Sequence, residues 1–223
     1  MLVVCAHPDD ESFGLGAVLA ALAGNGTEID LLCFTHGEAS TLGEVGADLG
    51  LVRAEELAAA AVVLGVTRTD LLAYPDGGLA GVATSELAGH VREKIRRSPA
   101  DALLVFDEGG ITGHPDHCRA TAAAVSAAEQ HDLDVIAWTI PEPVARTLNS
   151  EYGTTFVGRS ADDIHADVPV DRARHLEAIA CHRSQSTDNP VLWRRLELLG
   201  DRESLRYLLR RGRRPTWSQA REG

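Results

Sequence analysis

The sequence predicts a doubly wound α/β fold, a mostly parallel sheet with helices on both faces. Three observations carry that expectation. Five short apolar runs alternate with longer helical patterns in the order βαβαβαβαβ, which builds a parallel sheet through crossover helices. The runs are apolar nearly throughout, not at every second residue, as strands covered on both faces must be. And 223 residues, 44% of them hydrophobic, are ample for one full core.

Each element has its own signal. Leu2–Ala6 reads as the first strand. Ser12–Gly24 is helical, with Gly24 and Gly26 as its stop,. Glu28–Thr35 (EIDLLCFT) is the second strand, and Leu51–Leu64 (LVRAEELAAAAVVL) is a helix closed by Gly65,. Asp70–Tyr74 is the third strand, followed by a PDGG turn. Thr84 or Ser85 caps a helix to about Arg97, where Ser98-Pro99 ends it,. Ala102–Phe106 is the fourth strand. A helix from near Pro115 runs through an alanine-rich stretch to about Gln130, and Val135–Ile140 is the fifth strand.

Past Pro141 the alternation gives way to short β-like pieces (Thr155–Gly158, Ile164–Val168), a helix from Asp171 to His182 and an arginine-rich helical tail. With no low-complexity linker, the expected organisation is one domain over 1–190 and a helical C-terminal extension over 191–223. In the Rossmann-like strand order 3-2-1-4-5, strands one and four are neighbours whose connections leave in opposite directions. Such sheets bind ligands in the crevice at the C-terminal ends of those two strands.

The formal net charge is −12, from 21 Lys+Arg against 33 Asp+Glu. That acidity argues against broad binding to nucleic acid or anionic membranes, which would be repelled. It is uneven: from Leu192 to Gly223 nine Arg face four acids, a local +5, so the first 191 residues carry −17. The apolar stretch Met1–Ala6 is too short and lacks the basic flank of a signal segment. No window approaches the roughly 18 to 20 apolar residues of a membrane span. Cys5, Cys33, Cys118 and Cys181 lack CxxC spacing and read as reduced core thiols. The expected compartment is the cytoplasm.

The chemistry lies at the two lips of the crevice. After the first strand comes His7-Pro8-Asp9-Asp10-Glu11; after the fourth come Asp107-Glu108 and then His114-Pro115-Asp116-His117. Proline suits the first helical position, so both segments are expected to start helices. Carboxylates in a first turn complement the helix dipole, and a histidine can cap it. That does not account for the whole set, because Asp9, Asp10, Glu11 and Asp116 repel one another at a sheet edge unless a cation compensates. Imidazoles with carboxylates form an N/O ligand set of which zinc is the usual occupant. His7 with Asp10, and His114 with His117, stand at i,i+3 spacing. A catalytic zinc keeps a position open for water, so not all four should bind, and Asp9 is placed as a base.

AHPDDE after a first strand with HPDH about a hundred residues later resembles the LmbE-like (PIG-L) family of zinc-dependent N-deacetylases, over about Leu2 to Gln185. The resemblance implies zinc ligands His7, Asp10 and His117, with one zinc per chain or another divalent cation in its place. It implies Asp9 as general base toward the attacking water. His114 would stabilise the oxyanion and protonate the leaving amine, with Asp116 orienting His114. Arg53 and Glu56 resemble the family's R-x-x-E, in which the Arg contacts the sugar, and Asp76 its D-G pair, which bonds sugar hydroxyls. Thr35–Glu38 resembles its T-x-G-E loop and His182–Gln185 its H-x-S-Q segment. Longer members carry a Tyr two residues before the HPDH histidine, where this chain has Thr112.

The implied activity is removal of an N-acetyl group from an N-acetylglucosamine-type amino-sugar conjugate, a small-molecule substrate. One alternative is an amidase cleaving a larger thiol-conjugate amide. Another is a metal-dependent binding or regulatory module using the basic tail, Arg194 to Arg214 with Trp193 and Trp217. Arginines at helical spacing more often form a solvated face or a homo-oligomer contact.

Overall fold

A computed structural model describes residues 1–42, 48–98 and 100–211. In chain order its elements are β1 (Leu2–Cys5), α1 (Asp10–Phe13), α2 (Gly16–Gly24), β2 (Asp30–Thr35), α3 (Leu49–Leu64), β3 (Arg68–Tyr74), α4 (Thr84–Arg97) and β4 (Ala102–Phe106). There follow α5 (Gly110–Gly113), α6 (Pro115–His131), β5 (Asp134–Pro141), α7 (Glu142–Tyr152), β6 (Gly158–Arg159), β7 (Ala166–Pro169), α8 (Ala173–Cys181), α9 (Arg183–Ser186), α10 (Pro190–Leu199) and β8 (Arg202–Leu209). Strands one to five pair in parallel in the order β3-β2-β1-β4-β5, as the sequence predicts.

The near-continuous apolar runs arise because both sheet faces are covered. Val3, Cys5, Leu104 and Phe106 face one layer with α2, α3 and α8. Their alternates Leu2, Val4, Leu103 and Val105 face the other, built on α4 and α6. Helix α6 meets the sheet through Ala120, Ala123, Ala124, Ala127 and Ala128, one face at helical spacing,. Small side chains let that helix lie close, and Thr121 Oγ1 donates to the Phe106 carbonyl at 2.8 Å, fixing α6 to the end of β4. The N-terminus of α6 is thereby held at the crevice between β1 and β4.

The C-terminal third departs from expectation. Helix α7 occupies a stretch read as irregular, with Pro143 in its first turn and Gly153 in a left-handed conformation closing it. The arginine-rich segment is helical only to Leu199. Arg202–Leu209 returns as β8, antiparallel, between β5 and β7. Leu205 and Tyr207 alternate with Ser204 and Arg206, a two-residue period that the arginine count obscures,.

The tail's arginines meet partners inside the chain. Arg194 pairs with Glu151 and Glu197, Arg202 with Asp167, Arg206 with Asp107 and Glu108, and Arg211 with Asp132. Arg195 is buried over the Trp138 ring, and Arg210 lies over Tyr207. Arg214 and Trp217 lie outside the described residues. Among the described residues no helix is long and apolar enough to cross a membrane.

Candidate active site

The turn after β1 is organised by Asp10. One of its oxygens, Oδ2, accepts the backbone N–H groups of Ala6 and His7, both at 3.0 Å. That bends the chain through Pro8 into Asp9, which caps α1 with φ 115° and ψ −25°. The helix therefore begins at Asp10, and Pro8 precedes the cap instead of occupying the first helical position. In the second segment the expectation holds: His114 is the N-cap and Pro115 follows as N1.

Ring partners fix the histidine tautomers. His117 Nδ1 lies 3.1 Å from the Gly110 carbonyl, so it carries the proton and the Nε2 lone pair faces inward,. His114 Nδ1 accepts from the Asp116 N–H at 3.2 Å, which places the proton on Nε2. His7 Nε2 stands 3.0 Å from Asp76 Oδ1 and 3.4 Å from Asp116 Oδ2, ion-pair distances without hydrogen-bond geometry, and Nδ1 faces His117. The two inward nitrogens, His7 Nδ1 and His117 Nε2, are 3.1 Å apart. Asp10 Oδ1 is 3.0 Å from His117 Nε2, and Asp10 Oδ2 is 3.9 Å from His7 Nδ1.

Two lone pairs and a carboxylate converging in a buried site repel one another unless a proton or a cation lies between them. Ligands of a four-coordinate zinc at about 2.0–2.1 Å stand roughly 3.3 Å apart, which the His7–His117 and His117–Asp10 Oδ1 distances approach, while the 3.9 Å to His7 is from the other Asp10 oxygen; His7, His114 and His117 also bring one nitrogen each within 4.8 Å of one another. Two imidazole nitrogens and the Asp10 carboxylate, with His117 held from behind by the Gly110 carbonyl and His7 beside the Asp76 and Asp116 carboxylates, are a donor set of the kind that fits zinc,. Burial disfavours a charged His7, yet Asp116, Asp76 and Asp10 outweigh it and push the group up to about 10. Burial likewise opposes a charged His117, but Asp10 raises it. The same His117 holds Asp10 well below the usual carboxylate range in spite of burial.

Asp9 and His114 are tuned differently. Burial pushes Asp9 up to about 6, with Arg53 opposing. Burial, with His117 and His7 nearby, lowers His114 and keeps it neutral. Its ring centroid lies 4.9 Å from that of His7 and 4.8 Å from that of His117.

Three residues have partners within the chain that the sequence does not reveal. The Asp116 carboxylate turns to His7 and accepts the N–H groups of Gly77 (2.8 Å) and Leu79 (3.1 Å), so Asp116 meets His114 through its backbone N–H and not through its carboxylate. Those amides lie in the turn after β3 and draw the carboxylate away from the α6 cap. Arg53 is 3% exposed and serves the protein itself: it donates to the Pro8 carbonyl, to Gly37 O at 2.5 Å and to Asp9 Oδ2 at 2.9 Å. Asp76, besides facing His7, accepts from Ala39 N at 3.0 Å, while its own N–H goes to Glu38 Oε1 at 2.9 Å. Thr112 offers its carbonyl to Thr155 Oγ1 at 2.7 Å.

The structure also brings in residues to which the sequence assigned no role. Glu11 is fully buried against His182, and Ser184 holds Glu56 through its N–H and hydroxyl at 2.8 and 2.6 Å. Ser40 Oγ donates to Gln185 Oε1 at 2.6 Å. The T-x-G-E, R-x-x-E and H-x-S-Q resemblances were the available signal. Asp107, clamped by Arg159 and by Arg206 (3.1 Å), pins the loop that carries Gly110 and had no such signal.

Comparison with known proteins gives consistent matches. The family model described as PIG-L, GlcNAc-PI de-N-acetylase, matches residues 2–128. A 1D-myo-inositol 2-acetamido-2-deoxy-α-D-glucopyranoside deacetylase of Salinispora arenicola is 37% identical over 199 residues, covering 75% of this chain and 63% of that protein. The match thus spans somewhat less than two thirds of that relative's length. Among solved structures, a 4-carboxy-2-hydroxymuconate hydratase from Pseudomonas putida superposes with a TM-score of 0.70 at 19% identity, over 96% of this chain and 98% of that one. An N,N'-diacetylchitobiose deacetylase from Pyrococcus horikoshii gives 0.67 at 24% identity, over 93% and 83%. At these identities the structural likeness speaks for the fold alone.

Proposed function

The chain belongs to the PIG-L family, and from that premise we propose that it is a zinc-dependent hydrolase removing the N-acetyl group of an N-acetylglucosamine-type amino-sugar conjugate. The observation that carries the reading is that His7 Nδ1 and His117 Nε2 meet at 3.1 Å beside the Asp10 carboxylate, with His114 next to both rings. His7, Asp10 and His117 would hold the metal. Bound there, zinc supplies Lewis-acid polarisation of the acetyl carbonyl.

The side chains supply the rest. Asp9, raised to about 6, is ionised at neutral pH yet basic enough to take a proton from the attacking water,. Arg53 fixes its carboxylate from behind. As the water oxygen bonds to the acetyl carbon, negative charge grows on the carbonyl oxygen. His114, neutral with its proton on Nε2, is a preset donor for that charge,. The C–N bond then breaks, and the leaving nitrogen takes the proton held on Asp9. The products are acetate and the free amine. The substrate class is drawn from the amino-sugar deacetylase to which the chain is similar.

The test is metal analysis of the purified protein with acetate release from N-acetylglucosamine conjugates. Stoichiometric zinc with stoichiometric acetate is the expected result. Zinc-loaded protein that releases no acetate from any such conjugate would refute the reading.

A further inference from the structure

Asp9 sits in a backbone conformation that L-residues avoid, with φ at 115°. Left-handed non-glycine residues persist only where the surroundings over-determine them. Arg53 holds the carboxylate and the preceding Pro8 carbonyl, and the Asp9 carbonyl accepts from the Ser12 and Phe13 N–H groups. The Asp9 amide itself is held from the opposite side. Asp9's N–H donates to Glu11 Oε2 at 3.0 Å. Glu11 Oε1 is in turn gripped by Ser12 Oγ and by His182 Nε2, both at 2.6 Å.

Glu11 and His182 are each 0% exposed, and the His182 ring packs edge-on against Phe13 with centroids 5.9 Å apart. His182 stands at the junction of α8 and α9, beyond the stretch that the family model matches. Among the described residues it belongs to no cluster that could hold a metal ion. Its Nδ1 has no partner among the described residues, so the ring's one hydrogen bond there is the one to Glu11.

We propose that Glu11 and His182 are positioning residues for Asp9: the buried pair locks the backbone turn that aims the Asp9 carboxylate at the attacking water. The proposal rests on the reading of Asp9 as the base. Physically, Glu11 is two residues from the amide it accepts, and a free glutamate would leave that amide for solvent or a rotamer change. His182, arriving from 171 residues away, removes that freedom. It completes a clamp in which Arg53 fixes the carboxylate and Glu11 fixes the amide of one residue.

The experiment uses the zinc-loaded full chain and three variants, His182→Ala, His182→Gln and Glu11→Gln. Three quantities are read: kcat and KM for acetate release from an N-acetylglucosamine conjugate, zinc content, and hydrogen exchange of the Asp9 amide by NMR. For His182→Ala, kcat should fall about 10- to 100-fold, the scale of a misplaced reacting group, with KM and zinc content at wild-type values. The Asp9 amide should exchange about 10-fold faster or more. His182→Gln should recover most of both losses, because its amide N–H reaches the same Glu11 oxygen. Wild-type kcat in His182→Ala, unchanged Asp9 exchange, or zinc loss in step with activity each overturns the proposal. If the alanine variant does not fold, the isosteric Glu11→Gln decides: faster Asp9 exchange supports the clamp, and unchanged exchange refutes it. A wild-type protein that releases no acetate would sink the deacetylase reading, and the exchange measurement would still decide whether the clamp exists.

Discussion

Replacing Gly37 by alanine probes the Arg53–Asp9 contact without touching either residue. Gly37 has φ 65°, and its carbonyl accepts from Arg53 Nη1 at 2.5 Å. A Cβ there would stand 2.8 Å from Arg53 Nε and nearer still to Cζ and Nη1. Non-bonded heavy atoms settle at about 3.5 Å or beyond, so the guanidinium must retreat by roughly 1 Å. The Arg53 Nη2–Asp9 Oδ2 bond, now 2.9 Å, would then stretch past hydrogen-bond range. A shift of about 1 Å at a reacting group can lower turnover by about 100-fold. The left-handed alanine adds about 1–2 kcal/mol of destabilisation by itself.

The control is Gly26→Ala, at φ 79° with nothing within 4 Å of a built Cβ, which carries the backbone cost alone. Both variants should melt at lower temperature, but only Gly37→Ala should lose kcat in acetate release, with zinc content unchanged. Arg53 opposes the rise of Asp9 that burial causes. Moving it away raises Asp9 further, and since the base acts only when ionised, the acid limb of kcat should move to higher pH. If Gly37→Ala turned over as fast as Gly26→Ala, with its acid limb in place, Arg53 would have no hold on the base.

Other substitutions separate the remaining roles. Asp9→Asn should keep zinc and lose about 10²- to 10⁴-fold in kcat; acetate release near the wild-type rate would remove Asp9 from the mechanism. His117→Ala should lose the metal, as read by zinc content after gel filtration, and retained stoichiometric zinc would move the ligand role elsewhere. Asp116→Asn should weaken zinc affinity by about 10- to 100-fold through His7, measured by competition with a chelator. Wild-type affinity with lost kcat would instead return that carboxylate to His114. A chain ending at Asn189 should show no cooperative thermal transition, because it lacks the strand between β5 and β7; a folded, zinc-binding truncation would show that β8 is dispensable.

The parallel core was legible because its strands are covered on both faces, so Leu2–Cys5 and Ala102–Phe106 are apolar without interruption. Strand β8 was not, because it carries Arg202 and Arg206, whose partners Asp167 and Asp107 lie far away in the sequence. Charge counted along a segment cannot show that its counter-charges arrive from elsewhere in the chain. The same limit applies in the site. His7, Asp10 and His117 could be marked as neighbours because their strands are. The direction of the Asp116 carboxylate depended on the amides of Gly77 and Leu79, which sequence spacing does not relate to it.

The tripeptide His-Pro-Asp occurs at both lips of the crevice and is put to opposite uses, and the residue that follows it decides which. After Asp9 comes Asp10, whose carboxylate can accept two backbone N–H groups; it takes those of Ala6 and His7 and turns the chain before the helix starts. Asp9 becomes the cap, makes no side-chain capping bond, and is left for Arg53 to hold at the site. After Asp116 comes His117, which cannot accept that pair of amides. There the helix starts two residues earlier relative to the motif, His114 caps it through Nδ1, and Asp116 lies inside the first turn with its carboxylate directed at His7 and the loop after β3. On the proposed mechanism, one motif would supply a base on one side and, on the other, a neutral donor together with a carboxylate beside the opposite histidine.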